Sequence, residues 1–260
     1  MVASLPLRLL LVRPYKQDDA FVERMIATGA EVHRCPVMEI VPVADSLERE
    51  NIKSRILDFD HYQMAIFVSP IAARLGLDWL EDYWPMLPAG VRFYAVGNST
   101  AEVLRERGIP VEMPTASTDS EGLLELPSLQ MVDGEKGLIL AGKGGRNLLA
   151  EELTRRGVRM DRCELYERQP SNAYVETIES LLMEQRIDLV VAHSGELLKY
   201  LFQVLNPDKL QQLLVLPVLV PGERVAELAR QSGFQEVLAA SSALPEDMVS
   251  AIFEWYSNDD

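Results

Sequence analysis

The chain has 260 residues, 48% of them hydrophobic and 25% charged, which is too long for one small core and too apolar for a disordered polymer; one large or two modest domains are expected. Its 25 Lys and Arg stand against 40 Asp and Glu, a net charge of −15, and a field of that sign repels phosphate backbones and anionic membrane surfaces, so neither nucleic acid nor membrane is an expected partner. Cys35 and Cys163 are the only cysteines; they cannot build a disulfide framework and have no C-x-x-C spacing for zinc or redox work, which fits a reducing cytoplasm.

From the N-terminus, Met1 to Leu11 carries Arg8 inside its apolar run and lacks a small-residue cleavage signal, so no secretory leader is expected. No later stretch approaches the roughly 20 apolar residues of a membrane span. Leu9 to Val12 is a strand-length apolar run stopped by Arg13-Pro14, and Asp18 to Thr28 has helical spacing through Phe21, Val22, Met25 and Ile26. Gly29 closes that helix, and a second strand is expected from Glu31 to Cys35. Further strand-length runs lie at Met64 to Val68, Phe93 to Val96, Gly137 to Ala141, Leu189 to Ala192 and Val215 to Val220. Each ends in Ser, Gly or Pro and leads into a helix-like segment. This alternation predicts an α/β fold with parallel sheets covered on both faces, and ligands bound by the loops at the carboxyl ends of the strands.

An internal repeat organises the chain. Leu9 to Glu39 aligns with Leu138 to Glu167, so that Gly29 meets Gly157 and Cys35 meets Cys163 at one offset. Ala95 to Gly108 aligns with Val220 to Gly233, and Ser69 and Ser194 share that second offset. A duplicated α/β unit, and hence two similar domains, follows. The matched cysteines read as a shared buried site at a strand end rather than as chemistry. A tandem division would fall near Val132 to Lys136, at the Asp133-Gly134 turn. The alternative puts the joints at Pro36 to Pro42 and Leu165 to Ser171, where Pro-bearing extended sequence suits a two-stranded connector. Periodicity leaves both open.

Several loops have the composition of anion sites. Gly142-Lys143-Gly144-Gly145-Arg146 follows a strand and opens a helix, so backbone amides can converge on an anion while Lys143 and Arg146 supply charge. The same residues also suit a plain Gly-rich turn with solvated cations. Neither G-x-x-x-x-G-K-[ST] nor G-x-G-x-x-G is present, which disfavours a nucleotide-dependent enzyme. Ser69-Pro70, Gly97-Asn98-Ser99-Thr100, Ser194-Gly195 and Gly222-Glu223-Arg224 each follow a predicted strand, as N-caps or as carboxylate-binding helix starts. The serines lack G-x-S-x-G, and His33, His61 and His193 lack metal or triad spacing. His193 reads as a strand-end histidine satisfied locally. Tyr166, in Glu164-Leu165-Tyr166-Glu167-Arg168, closes the last strand of the second copy, and its repeat mate is Met38. A neutral phenol there can donate a proton into a cleft, or be a half-buried strand aromatic.

Taken in order, Phe67-Val68-Ser69-Pro70, Ala95-Val96-Gly97-Asn98-Ser99-Thr100-Ala101, Ser120-Glu121-Gly122-Leu123, Gly144-Gly145-Arg146, Leu165-Tyr166-Glu167-Arg168, Ser194-Gly195 and Gly222 resemble the uroporphyrinogen-III synthase family over nearly the whole chain. The resemblance implies two similar flavodoxin-like domains with parallel sheets joined by a two-stranded connector. The first domain would be discontinuous, 1–36 with 171–260, the second 41–165, and the connectors 37–40 and 166–170. It implies a cytoplasmic enzyme that uses no cofactor and no metal; a monomer is the default expectation, because no long apolar patch stands out in the sequence. The substrate would be hydroxymethylbilane, closed to uroporphyrinogen III with inversion of its last ring and loss of water, with transient contact to the enzyme that makes it. Its acetate and propionate groups would be held in an interdomain cleft by Ser69, Pro70, Gly97, Asn98, Ser99, Thr100, Ser120, Gly144, Gly145, Ser194, Gly195 and Gly222, largely through backbone amides. Arg13, Lys143, Arg146, Arg168 and Arg224 would oppose the acidic global field. Tyr166 would assist loss of the substrate hydroxyl. Pro221-Gly222-Glu223-Arg224-Val225 departs from the family's Gly-Pro-Thr-Thr-like turn, which leaves Arg224 to contact a carboxylate, and His193-Ser194-Gly195 replaces a Thr-Ser or Phe-Ser-Pro-Ser pattern. A cytoplasmic two-domain sensor of small ligands is the competing, non-enzymatic reading, and it would need no Tyr166.

Overall fold

Alternate residues of a strand point to opposite faces of its sheet, and here both faces are apolar. Leu10 and Val12 join one buried cluster and Leu9 and Leu11 another; Leu138 and Leu140 divide from Ile139 and Ala141 in the same way. A strand covered on both sides in this manner belongs to the interior of a parallel sheet. The molecule, a computed structural model, describes residues 6–16, 18–115 and 119–258. Residues 1–5 of the N-terminal segment considered above lie outside them. Among the described residues no helix is long and apolar enough to cross a membrane.

In chain order the elements begin with β1 (Arg8–Leu11), α1 (Ala20–Ala27), β2 (Glu31–Arg34) and β3 (Met38–Pro42). There follow α2 (Ser46–Leu57), β4 (Met64–Phe67), α3 (Pro70–Tyr83), β5 (Arg92–Ala95), α4 (Asn98–Glu106), α5 (Ser120–Leu124), β6 (Lys136–Gly142), α6 (Leu148–Arg155) and β7 (Arg159–Pro170). The chain ends with α7 (Val175–Met183), β8 (Leu189–Val191), α8 (Gly195–Val204), α9 (Pro207–Leu214), β9 (Val218–Val220), α10 (Glu223–Gln231), β10 (Val237–Ala239) and α11 (Pro245–Asn258). The run predicted as a strand from Val215 is shorter than expected: Val215 ends α9, and pairing starts only at Val218, beyond Pro217. Tyr166 does not close its strand, which continues to Pro170.

Two compact units result, Met1–Glu39 with Gln169–Asp260, and Ile40–Arg168. In the first, the sheet order is β2-β1-β8-β9-β10, with the pairings parallel. Numbered within the unit this is 2-1-3-4-5, the flavodoxin-like order. In the second the order is β3-β7-β6-β4-β5, and Glu112 bridges Tyr94 in parallel beyond β5. Superposing the sequence repeat makes β6, β7, β4 and β5 the counterparts of β1, β2, β8 and β9, with Glu112 where β10 stands. The second unit is thus the first one permuted.

The edge strand β3 is the exception to parallel pairing. Val43 N–H donates to the Leu165 carbonyl and Ser171 N–H to that of Val37, so β3 and β7 run in opposite directions. In the first copy Pro36, which has no N–H to give a ladder, separates β2 from β3; the second copy has no proline there, and β7 runs unbroken. Gly29 and Gly157 end α1 and α6 with φ of +92° and +89°, the left-handed conformation that glycine adopts without penalty after a helix. Both cysteines are buried, and burial pushes the Cys35 thiol up to about 11 and that of Cys163 to about 12, so neither is a thiolate at neutral pH.

Candidate active site

In the second unit the site is built around a one-residue slip. β6 and β7 pair in step from Lys136–Arg159 to Ala141–Glu164, and Gly142 then pairs with Tyr166, passing over Leu165. An extra residue breaks the alternation of faces, so Leu165 and Tyr166, though consecutive, enter the same buried cluster. Tyr166 is only 2% exposed, more buried than the half-buried strand aromatic of the sequence reading. Its hydroxyl lies 3.0 Å from Ser69 Oγ. Ser69 is the N-cap of α3 and accepts from Ala72 N–H at 3.0 Å, with Pro70 at the first helical turn. A Cβ on Gly142 would stand 2.6 Å from the Tyr166 ring, so glycine there leaves the phenol its place. Lys143 N–H donates to the Tyr166 carbonyl at 2.7 Å.

The loop after β6 already gathers a cation within the chain. Its carbonyls, rather than its amides, meet a charged group: Arg162 donates to Gly142 O at 3.2 Å, to Arg146 O at 3.3 Å and to Asn147 Oδ1 at 3.2 Å. Lys143 is no free cation. Its ammonium lies 2.7 Å from Glu48 and 3.7 Å from Glu167, and the hydrogen bond to Glu48 is the main cause raising its pKa. Gly144, Gly145 and Arg146 are exposed. Arg162 is the residue that the sequence reading missed; a lone arginine in a strand carries no motif, and only its partners reveal it.

On the neighbouring strands, Gly97 caps α4 with no side chain of its own, and Thr100 is buried at 2% exposure. Asn98 is committed locally, donating to Glu102 at 2.6 Å, while Ser99 is exposed. Ser120 opens α5 behind Asp119, whose carboxylate accepts from Gly122 N–H at 2.9 Å. Arg168 is exposed near the end of β7. The geometry therefore brings Tyr166, Ser69 and Gly142 together, with the Gly97–Thr100 turn one strand further along.

In the first unit a cavity of about 340 Å³ is lined by His193, Ser194, Gly222 and Arg224 among others. Ser194 caps α8, accepting from Leu197 N–H at 3.3 Å, and Gly195 begins that helix. Gly222 caps α10 with φ +142° and no side-chain hydrogen bond, and Arg224 is exposed. Arg13 is again not free. It pairs with Asp19, which also caps α1 by accepting from Val22 N–H, and burial is the main influence lowering the guanidinium pKa, against the pull of Asp19.

His193 is not satisfied locally, contrary to the sequence reading: its Nδ1 is buried without a partner, and its ring stands edge to face with Phe21 at 5.6 Å. Burial first, and the charge of Arg13 second, bring its pKa down to about 4, opposed by Asp19. The unfolded chain takes up that proton near pH 6.5 and the folded chain only near 4. Stability is therefore expected to fall as pH drops through this window, because the unfolded state binds more protons. Urea midpoints against pH should show a shallower acid-side decline for His193→Asn; parallel curves would show that His193 carries no such burden.

Among the described residues there is no group of three or more His, Cys, Asp or Glu that could hold a metal ion. A family model described as "Uroporphyrinogen-III synthase HemD" matches residues 19–250. The chain is 32% identical over 251 residues to the uroporphyrinogen-III synthase of Salmonella typhimurium, covering 94% of this chain and 99% of that one. It is 30% identical over 254 residues to that of Escherichia coli, again covering 94% and 99%. Among solved structures, uroporphyrinogen-III synthetase of Helicobacter pylori superposes with a TM-score of 0.59 at 12% identity, over 96% of this chain and 99% of that one. A mutant uroporphyrinogen III synthase of Thermus thermophilus gives 0.55 at 16%, over 97% and 99%. At such identities the structural likeness speaks for the fold alone.

Proposed function

The chain belongs to the uroporphyrinogen-III synthase family, and from that premise we propose which of its residues carry the reaction. The activity is that of a cyclising lyase in tetrapyrrole biosynthesis, closing hydroxymethylbilane to uroporphyrinogen III. The single observation that supports the assignment of roles is the Tyr166–Ser69 hydroxyl pair at 3.0 Å, packed against a glycine whose missing side chain makes room for the phenol.

Tyr166 donates its proton to the departing hydroxyl of the substrate, which leaves as water. Ser69, its oxygen already accepting from Ala72 N–H, donates to the phenol oxygen and stabilises the charge that develops there. The cation-like azafulvene left behind is stabilised by the pyrrole nitrogens themselves. Attack by the substituted carbon of the last ring gives a spiro intermediate and then the inverted product, and the proton released as the pyrrole ring regains aromaticity returns to the Tyr166 phenolate, so the protein's main task is orientation. Holding the reacting ends can be worth up to about 7 to 11 kcal/mol, against about 10²- to 10⁴-fold for a general acid.

The helix starts at Ser69-Pro70, Gly97–Thr100, Ser120, Ser194-Gly195 and Gly222, with the loop from Gly144 and the exposed Arg146, Arg168 and Arg224, hold the carboxylates of this polyanion. Arg13 and Lys143, which also meet Asp19 and Glu48, add to the positive charge of the site. The same reading has a monomer acting in the cytoplasm and receiving substrate in transient contact with the enzyme that makes it. Of these, the monomer is supported by the net charge of −15, since like-charged copies repel one another. Purified protein given freshly made hydroxymethylbilane is expected to yield the type III isomer above the spontaneous type I background; type I alone would overturn the reading.

A further inference from the structure

We infer that Arg162 is a positioning residue for Tyr166, acting through the backbone of the loop that follows β6. This deepens the role given above to Tyr166 and rests on it. Arg162 stands on β7 opposite Ile139, and all three of its guanidinium nitrogens are engaged. Nε donates to Glu164 at 3.2 Å, one Nη to the Arg146 carbonyl and Asn147 Oδ1, and the other to the Gly142 carbonyl. A planar fork of this kind fixes direction as well as distance, which an ammonium on a flexible stem does not.

Gly142 is where this grip meets the reacting phenol. It pairs with Tyr166 across the register slip, and its absent Cβ would fall 2.6 Å from the Tyr166 ring and 3.0 Å from the hydroxyl. The next residue donates its N–H to the Tyr166 carbonyl at 2.7 Å. Arg162 holds the carbonyl of Gly142 at 3.2 Å, so a shift of the guanidinium moves the surface against which the phenol rests. Gly145 carries the mark of the same arrangement: a Cβ there would stand 2.8 Å from an Arg162 Nη. With the guanidinium removed, Gly142 and Tyr166 keep their ladder but lose the brace behind it. Displacement of a reacting group by about 1 Å can cost as much as about 10²-fold in rate.

The test is a cycle of Arg162→Ala and Tyr166→Phe, read as kcat and KM separately on hydroxymethylbilane. Arg162→Ala alone is expected to lower kcat about 10-fold with little change in KM, and to cost nothing further in the Tyr166→Phe background. Arg162 also lines a cavity of about 500 Å³ with Asn51, Arg55 and Asn147, so guanidinium ion added to Arg162→Ala should restore part of kcat where urea at the same concentration does not. Equal losses from Arg162→Ala in both backgrounds, or an unchanged kcat in the parent, would overturn the inference. Full activity in Tyr166→Phe would instead overturn the reading on which it rests. Should Arg162→Ala not fold, Arg162→Gln, which keeps one amide donor, takes its place in the same cycle with the same criteria.

Discussion

Tyr166→Phe is expected to lower kcat by about 10²-fold without abolishing turnover, while the protein stays folded. The variant keeps the ring that Gly142 was shaped around and removes only the hydroxyl that meets Ser69 at 3.0 Å. One hydrogen bond of that kind contributes about 0.5 to 1.5 kcal/mol, so a urea midpoint close to the parent's should accompany the kinetic loss. Residual activity follows because orientation of the chain ends survives the substitution. Steady-state assay of the type III isomer decides the matter, and a variant as active as the parent would remove Tyr166 from the mechanism.

The largest effect on stability is expected from Asp19→Ala. Arg13 and Asp19 are 17% and 4% exposed, and Arg13 Nε is already buried without a partner. Removing the carboxylate leaves a buried guanidinium uncompensated, at a cost of about 3 to 5 kcal/mol. It also strips α1 of its cap, whose acceptor for Val22 N–H is Asp19, a loss of about 1 kcal/mol. Denaturant unfolding measures the sum. Arg13→Met combined with Asp19→Leu should recover much of it, because replacing both members of a buried pair by apolar groups is often neutral. A loss below about 1 kcal/mol in Asp19→Ala would mean that the pair is effectively hydrated.

Much of the architecture was legible because it is written in apolar periodicity. Runs such as Leu9–Val12 and Gly137–Ala141 face cores on both sides, and a pattern that is apolar on both faces admits few sheets other than parallel ones. The repeat that matched Gly29 with Gly157 reflects two helix ends with the same left-handed turn. What stayed hidden depends on register and on partners. The slip that carries Tyr166 into the core beside Leu165 leaves no trace in composition, since each residue alone suits a strand. The pairing of Arg13 with Asp19 and of Lys143 with Glu48 could not be foreseen from lists of cations near loop edges, because the neutralising carboxylates come from other elements. Arg162 is the opposite case, an unremarked strand residue whose importance lies in the carbonyls it gathers.

The permuted connectivity also sets an order on synthesis. β1 lies inside its sheet, between β2 and β8, so once synthesised it has no second neighbour until Leu189–Val191 follows. At about 5 to 20 residues per second that wait is on the order of ten seconds or more. Meanwhile Ile40–Arg168 emerges with its own sheet partners and can collapse first. Until then the face of Leu10 and Val12, whose buried cluster is drawn mostly from residues 178–234, stays open while Ile40–Arg168 already holds all of its own strands.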